Sequence, residues 1–221
     1  MKKLNGKNII KTISFNEGEL LNNIHKLYCP QWFEVDPCYS KGNIYTRFNL
    51  PQPTYKFDIR PQADDVIKAN ATSLPFECGS IGSILYDPPF LVGVNSKGEN
   101  SGKIPMRFSI FKSISALWQW YEQCLVEFKR ILKPNAFLIF KNQDTINGGK
   151  QYFSHCQILN MAVQIGFYPK DLFVLLAKTR MIGANHHHQK HARKYHCYYW
   201  VFQNTKNPVS YSIPQNLKHT A

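Results

Sequence analysis

The sequence has no Cys-x-x-Cys pair, no apolar stretch near the roughly 18 residues needed to cross a bilayer, and no internal repeat or low-complexity run. Each absence excludes something. Its six cysteines (Cys29, Cys38, Cys78, Cys124, Cys156, Cys197) are scattered, and no secretory signal pattern precedes them. Reduced thiols in a cytoplasmic setting are therefore expected. A membrane role has no apolar segment to rest on. Acidic residues are scarce as well: 14 Asp and Glu stand against 27 Lys and Arg, a formal net charge of +13. Such an excess creates a long-range positive field and favours a polyanionic partner, nucleic acid first of all.

What is present suits one packed domain. The chain has 221 residues and is 43% hydrophobic, enough for one core and too short for two comfortable ones. Asn16 followed by Glu19 has the spacing of a capping box, and Leu20, Leu21, Ile24, Leu27 and Tyr28 then share one helical face that ends before Pro30. Segments 32–38 (WFEVDPC), 55–59 (YKFDI) and 81–86 (IGSILY) read as strands. A helix is predicted from Ser115, with Leu117, Tyr121, Leu125, Phe128 and Leu132 at helical spacing, ended by Pro134. The strand AFLIFK (136–141), a helix over about 151–165 and the strands FVLLAK (173–178) and HCYYWVF (196–202) follow. Alternating strand and helix predict an α/β fold, a mostly parallel sheet with helices on both faces.

Sheets of that kind bind ligands at the carboxyl ends of their strands. Asp36, Asp58 and Asp87 each close a different predicted strand, so all three can line one crevice. The third stands in Asp87-Pro88-Pro89-Phe90. Two prolines forbid helix there and fix the chain direction just where a buried strand ends.

This tetrapeptide resembles the catalytic motif of the S-adenosylmethionine-dependent amino-methyltransferases that modify adenine N6 or cytosine N4 in DNA, in particular small, phage-type members. Asp36-Pro37-Cys38-Tyr39-Ser40-Lys41-Gly42 is similar to the family's cofactor loop, with Cys38 and Ser40 as departures. Asp58 matches the acidic residue that holds the cofactor ribose. Asn70-Ala71-Thr72-Ser73-Leu74-Pro75-Phe76 resembles the segment beside the cofactor adenine, with Asn70 where Asp is usual. Arg130-Ile131-Leu132-Lys133-Pro134 resembles the family's passage from helix to strand. The resemblance covers about residues 15–204 of a single domain spanning 1–221, with flexible tails expected on either side. It implies a Rossmann-like methyltransferase domain of seven strands, the last antiparallel, with S-adenosyl-L-methionine as cofactor. The cofactor-binding residues it implies are Asp36, Pro37, Cys38, Tyr39, Gly42, Asp58, Asn70, Ala71 and Leu74, and the catalytic ones Asp87, Pro88, Pro89 and Phe90.

The chemistry fits the motif. An exocyclic base amine is a poor nucleophile because its lone pair is delocalised into the ring. Asp87 and the Pro88 carbonyl can accept its two N–H bonds and favour the pyramidal, reactive nitrogen. Phe90 can stack on a base turned out of its helix. With Pro51 and Pro53 between Gly42 and Asp58, the helix after the first strand of the domain is expected to be short or absent. Segment 91–114, rich in Gly, Ser and Lys, reads as a loop over the substrate. Arg180, Lys190, Arg193 and Lys194 read as a basic loop that touches phosphates. His186, His187, His188 and His191 do not suggest a metal site: adjacent imidazoles without a carboxylate or cysteine partner converge poorly on one ion, and no metal is expected. The expected substrate is DNA, at adenine N6. An RNA base methyltransferase, or a binding protein that keeps the fold without catalysis, fits the same residues. Oligomeric state is not legible.

Overall fold

The computed structural model describes residues 9–90, 92, 111–179 and 191–206. Helix α1 covers Glu17–Tyr28, and Asn16 Oδ1 caps it by accepting the Glu19 N–H (3.0 Å). The second half of the expected capping box is relayed. Ser14 Oγ accepts the Asn16 N–H (3.0 Å) and donates to Glu19 Oε2 (2.6 Å). Such a cap stabilises a helix by about 1 kcal/mol. Leu20, Leu21 and Ile24 bury one stripe of α1.

Eight strands form one sheet: β1 (Ile13–Ser14), β2 (Val35–Asp36), β3 (Tyr55–Asp58), β4 (Ile67–Lys68), β5 (Ile81–Tyr86), β6 (Leu132–Asn142), β9 (Phe167–Leu176) and β10 (His196–Asn204). Their order is β1-β9-β10-β6-β5-β2-β3-β4, and β7 (Thr145–Asn147) and β8 (Lys150–Tyr152) make a separate antiparallel hairpin. β10 runs antiparallel to β6 and β9, while the other pairings are parallel. The sheet is thus mostly parallel with an antiparallel last strand, as expected, but among the described residues it has eight strands rather than seven. Both edges, β1 and β4, are two residues long, too short to carry any alternation of apolar and polar residues.

Side chains of the central strands alternate between two cores. Ile84 and Tyr86 of β5 and Leu138 and Phe140 of β6 pack with α3 (Ile114–Ile131) and α4 (Ser154–Ile165). Leu85 and Ile139 face the other way, toward α1 and the six-residue α2 (Asn43–Phe48). Helices therefore cover both faces, and the helix after β2 is as short as Pro51 and Pro53 suggested. α3 starts slightly before its predicted first residue, because Ser113 Oγ takes the Ala116 N–H (3.1 Å) as cap. Trp120 Nε1 donates to Tyr86 Oη (3.0 Å), which donates to Cys124 Sγ (3.2 Å), tying α3 to β5. No two of the six cysteines are joined by a disulfide. No described helix is long and apolar enough to cross a membrane.

Candidate active site

β5, β2 and β3 are adjacent and parallel, so their carboxyl ends meet at one rim. Asp36 is the last residue of β2, Asp58 the last of β3, and Asp87 follows β5 directly. A cavity of about 150 Å³ opens there, lined by Asp58 and Asp87, by Pro37, Cys38 and Ser40 of the loop after β2, and by Arg60, Ala71, Pro89, Phe111 and Trp120 among others. Carboxylates and loop predicted from the sequence thus converge on one place.

Asp36 lies under the loop, buried, rather than in the cavity wall. Its Oδ1 accepts the Cys38 N–H (2.9 Å) and its Oδ2 the Tyr45 hydroxyl (2.8 Å). Burial pushes its carboxyl up to about 7, against those two hydrogen bonds, and the nearby Asp87 and Asp58 push in the same direction as burial. The folded protein therefore holds a proton here that the unfolded chain, with its usual value of 3.8, releases earlier. That contribution is fully present below about pH 4 and is lost as the pH rises toward about 7. Asp36→Asn, always neutral and of the same shape, should flatten the fall of stability over that interval. Urea denaturation at a series of pH values checks this, and equal pH slopes for the two proteins would contradict it.

Ser40 adopts φ +54°, and its N–H donates to Asp58 Oδ2 (2.9 Å). Asp58 Oδ1 takes the Arg60 N–H (2.8 Å). Asp58 thus orders both the loop and its own turn, and each oxygen keeps a second lone pair for a ligand. Tyr39 is buried against Tyr45, rings stacked at 5.4 Å, and Gly42 closes the loop at φ +64°.

In the segment 70–76, Asn70 Oδ1 caps its own turn by accepting the Thr72 N–H (2.9 Å), and only Ala71 reaches the cavity. Leu74 is buried in the core instead. Its N–H donates to Glu127 Oε1 (2.7 Å), and Arg130 bonds the Leu74 and Phe76 carbonyls while pairing with Glu127 at 2.6 Å. Arg130, noted as part of a helix-to-strand passage, therefore fixes the segment that flanks the cavity. Burial alone would raise the Glu127 carboxyl; Arg130 and the Leu74 N–H bring it below the usual range.

In the Asp-Pro-Pro-Phe motif, Pro88 is buried, and Tyr121 Oη donates to the Pro89 carbonyl (3.1 Å). The Pro88 carbonyl accepts no hydrogen bond among the described residues. Phe90 is half-buried and is not among the residues lining the cavity. Asp87 Oδ2 is paired with Lys141 Nζ (2.8 Å), and Lys141 in turn with Glu17 Oε1 (2.7 Å). Burial pushes the Asp87 carboxyl up against the pull of Lys141.

Arg180 and Lys190 of the expected phosphate-binding loop, the histidines 186–188 and most of segment 91–114 lie outside the described residues. Arg193 and Lys194 precede β10, whose start pairs with the end of β6 (Tyr198 with Asn142), so they stand at the same rim as Asp87. Val92 bridges to Phe111, which brings Phe111 to the cavity.

Sequence reasoning missed Lys141, Glu17, Arg60, Phe111 and Trp120. Lys141 had a signal. It shares a face of the strand with Ile139, which is fully buried, and a lysine on a buried face requires partners.

No family profile matches the chain, and no curated protein matches it in sequence. Solved structures do. The [4+2]-cyclase SpnF superposes on 85% of this chain and 81% of its own, with TM-score 0.51 at 12% identity. The PvuII DNA methyltransferase (cytosine-N4-specific) covers 63% of this chain and 49% of its own, with TM-score 0.46 at 15% identity. A Thermus thermophilus protein assigned as a DNA modification methylase, complexed with S-adenosyl-L-methionine, covers 67% and 57%, with TM-score 0.42 at 17% identity. The chain spans about half the length of these two methylases. At these identities the likeness is one of fold.

Proposed function

We propose that this chain is an S-adenosylmethionine-dependent methyltransferase acting on an exocyclic amine of a nucleic-acid base, adenine N6 in DNA, through a single domain covering about residues 15–204. The observation that carries the reading is the convergence of Asp36, Asp58 and Asp87 at the ends of three adjacent parallel strands, with the Asp-Pro-Pro-Phe motif on the last of them.

The cavity suits the cofactor's chemistry. Asp58 offers a carboxylate to the ribose hydroxyls, while Pro37, Ile59 and Ala71 offer apolar walls to a planar ring. When bound, the cofactor supplies an electrophilic methyl group on a sulfonium. Everything else falls to the chain. Asp58 accepts the ribose hydroxyls with the lone pairs that Ser40 and Arg60 leave. Asn70 and Ala71 flank the adenine, and Leu74 secures that segment from the core. Pro37, Cys38, Tyr39 and Gly42 shape the loop. Asp87 and the Pro88 carbonyl accept the amine N–H bonds, Pro89 holds the turn, and Phe90 stacks on the base. Arg180, Lys190, Arg193 and Lys194 bind phosphates, and the net charge of +13 makes that binding fall steeply with salt.

Titration calorimetry tests the cofactor assignment. Wild-type protein should bind one S-adenosylmethionine per chain, and Asp58→Ala should lose about 1.5–3 kcal/mol of affinity, the value of hydrogen bonds to a charged group. Equal affinity in both would remove Asp58 from the site.

A further inference from the structure

Behind the motif carboxylate Asp87 stands a charged partner, Lys141. Lys141 sits on β6 beside Asp87, its side chain 14% exposed, with Nζ 2.8 Å from Asp87 Oδ2 and 2.7 Å from Glu17 Oε1. Glu17 comes from α1 and is 16% exposed; Asp87 is 31% exposed. The Lys141 ammonium lies over the Tyr199 ring at 5.6 Å, and the Tyr199 hydroxyl donates to the same Glu17 oxygen. Three elements distant in sequence (α1, β6 and β10) therefore meet behind one side chain of the motif.

We propose, resting on the reading of Asp87 as the acceptor of the amine, that Lys141 is its positioning residue, clamping Oδ2 and leaving Oδ1 to take the N–H. Oδ1 accepts no hydrogen bond among the described residues. Glu17 is needed as much as Lys141. A lone ammonium against Asp87 would cancel the charge that makes it a strong acceptor. With Glu17 sharing the ammonium, the three groups together carry one net negative charge. Tyr199 fixes Glu17, so the ammonium cannot swing fully to Asp87.

The electrostatics follow the same geometry. Burial raises Asp87, Lys141 opposes that rise, and Glu17 adds to it. Burial would likewise raise Glu17, but Lys141 and Tyr199 hold its carboxyl below the usual range. Among the described residues, the other groups whose titration responds to Asp87 are Asp36 and Cys38 from β2 and its loop, Tyr45 from α2, Tyr121 from α3 and Tyr199 from β10. None of these is a cation. Arg60 lines the same cavity and Arg47 of α2 faces Glu17, but among the described residues Lys141 is the cation paired with Asp87; it favours the ionised carboxylate, and removing it takes that opposition to burial and Glu17 away.

The test follows the Asp87 carboxyl by carbon-13 NMR, assigned with Asp87→Asn, alongside cofactor calorimetry and single-turnover methyl transfer across pH. Lys141→Met should move the Asp87 titration upward by about 1–3 pH units, the size expected when an opposite charge in contact is lost. Its turnover at neutral pH should fall about 10–100-fold, as for a misplaced reacting group. The acid limb of its pH–rate profile should move up with the carboxyl, and cofactor affinity should stay within about threefold of wild type. Lys141→Arg should restore most of the rate. Glu17→Gln, which keeps the shape and serves if Lys141→Met does not fold, should move the Asp87 titration downward. An Asp87 titration unchanged in Lys141→Met and Glu17→Gln overturns the proposal. So does a Lys141→Met protein that loses cofactor affinity yet turns over normally when saturated, since Lys141 would then be a cofactor ligand. If wild type transfers no methyl group, the methyltransferase reading fails, while the carboxyl titrations still decide whether the clamp exists.

Discussion

The Asp87→Ala protein is expected to bind S-adenosylmethionine as wild type does and to transfer methyl groups about 10²–10³-fold more slowly, the cost typical of one lost transition-state hydrogen bond. The bond from the amine to Asp87 strengthens as the nitrogen becomes pyramidal and positive, so it belongs to the transition state rather than to the ground state. The fold should survive because Lys141 keeps its pairing with Glu17, 2.7 Å away. Asp87 is also the most exposed of the three charged partners, so truncating it opens no deep cavity. Single-turnover measurement separates this loss from any effect on binding. A variant as fast as wild type would reduce the motif to a turn.

A second large effect is expected at Gly42, in the loop rather than in the motif. A Cβ added there would stand 2.1 Å from Tyr39 Oη and 2.3 Å from its Cζ, at φ +64°. The left-handed backbone costs a residue other than glycine about 1–2 kcal/mol, and forcing atoms into a filled space about 1–3 kcal/mol more. Tyr39 cannot yield freely, since it stacks on Tyr45, whose hydroxyl donates to Asp36. Gly42→Ala should therefore lower stability by roughly 2–5 kcal/mol, the sum of those two costs. The part of that cost borne within the loop should weaken cofactor binding by more than about tenfold, the equivalent of 1.4 kcal/mol. Denaturation and calorimetry read the two effects separately. Wild-type values in both would mean that the loop does not shape the site.

The sequence announced those parts of the molecule whose cause is local. β5 has the predicted bounds 81–86 because an apolar run there is closed by Asp87 and two prolines. α1 follows its cap and its apolar stripe. Ser40, a departure from the resembled loop, takes a positive φ with its N–H held by Asp58, 18 positions away, a contact that nothing local reports. The edge strands and the β7–β8 hairpin went unseen for lack of length. Leu74 was assigned to the cofactor from its place in a motif, and the structure puts it in the core, anchored on Glu127. For Lys141 the need for partners was legible on its buried strand face, but not their identity: Glu17 and Asp87 belong to other elements, and nothing local in AFLIFK reports a contact 124 positions back.

The most direct measurement is transfer of a tritiated methyl group from S-adenosylmethionine to duplex DNA, single-stranded DNA and RNA by the 221-residue chain, followed by digestion to nucleosides. Label is expected in DNA, on N6-methyladenine, with transfer by Asp87→Ala lower by at least about a hundredfold. Label confined to RNA would contradict the choice of substrate, and the absence of label in any nucleic acid, from a chain that binds the cofactor, would contradict the account at its centre.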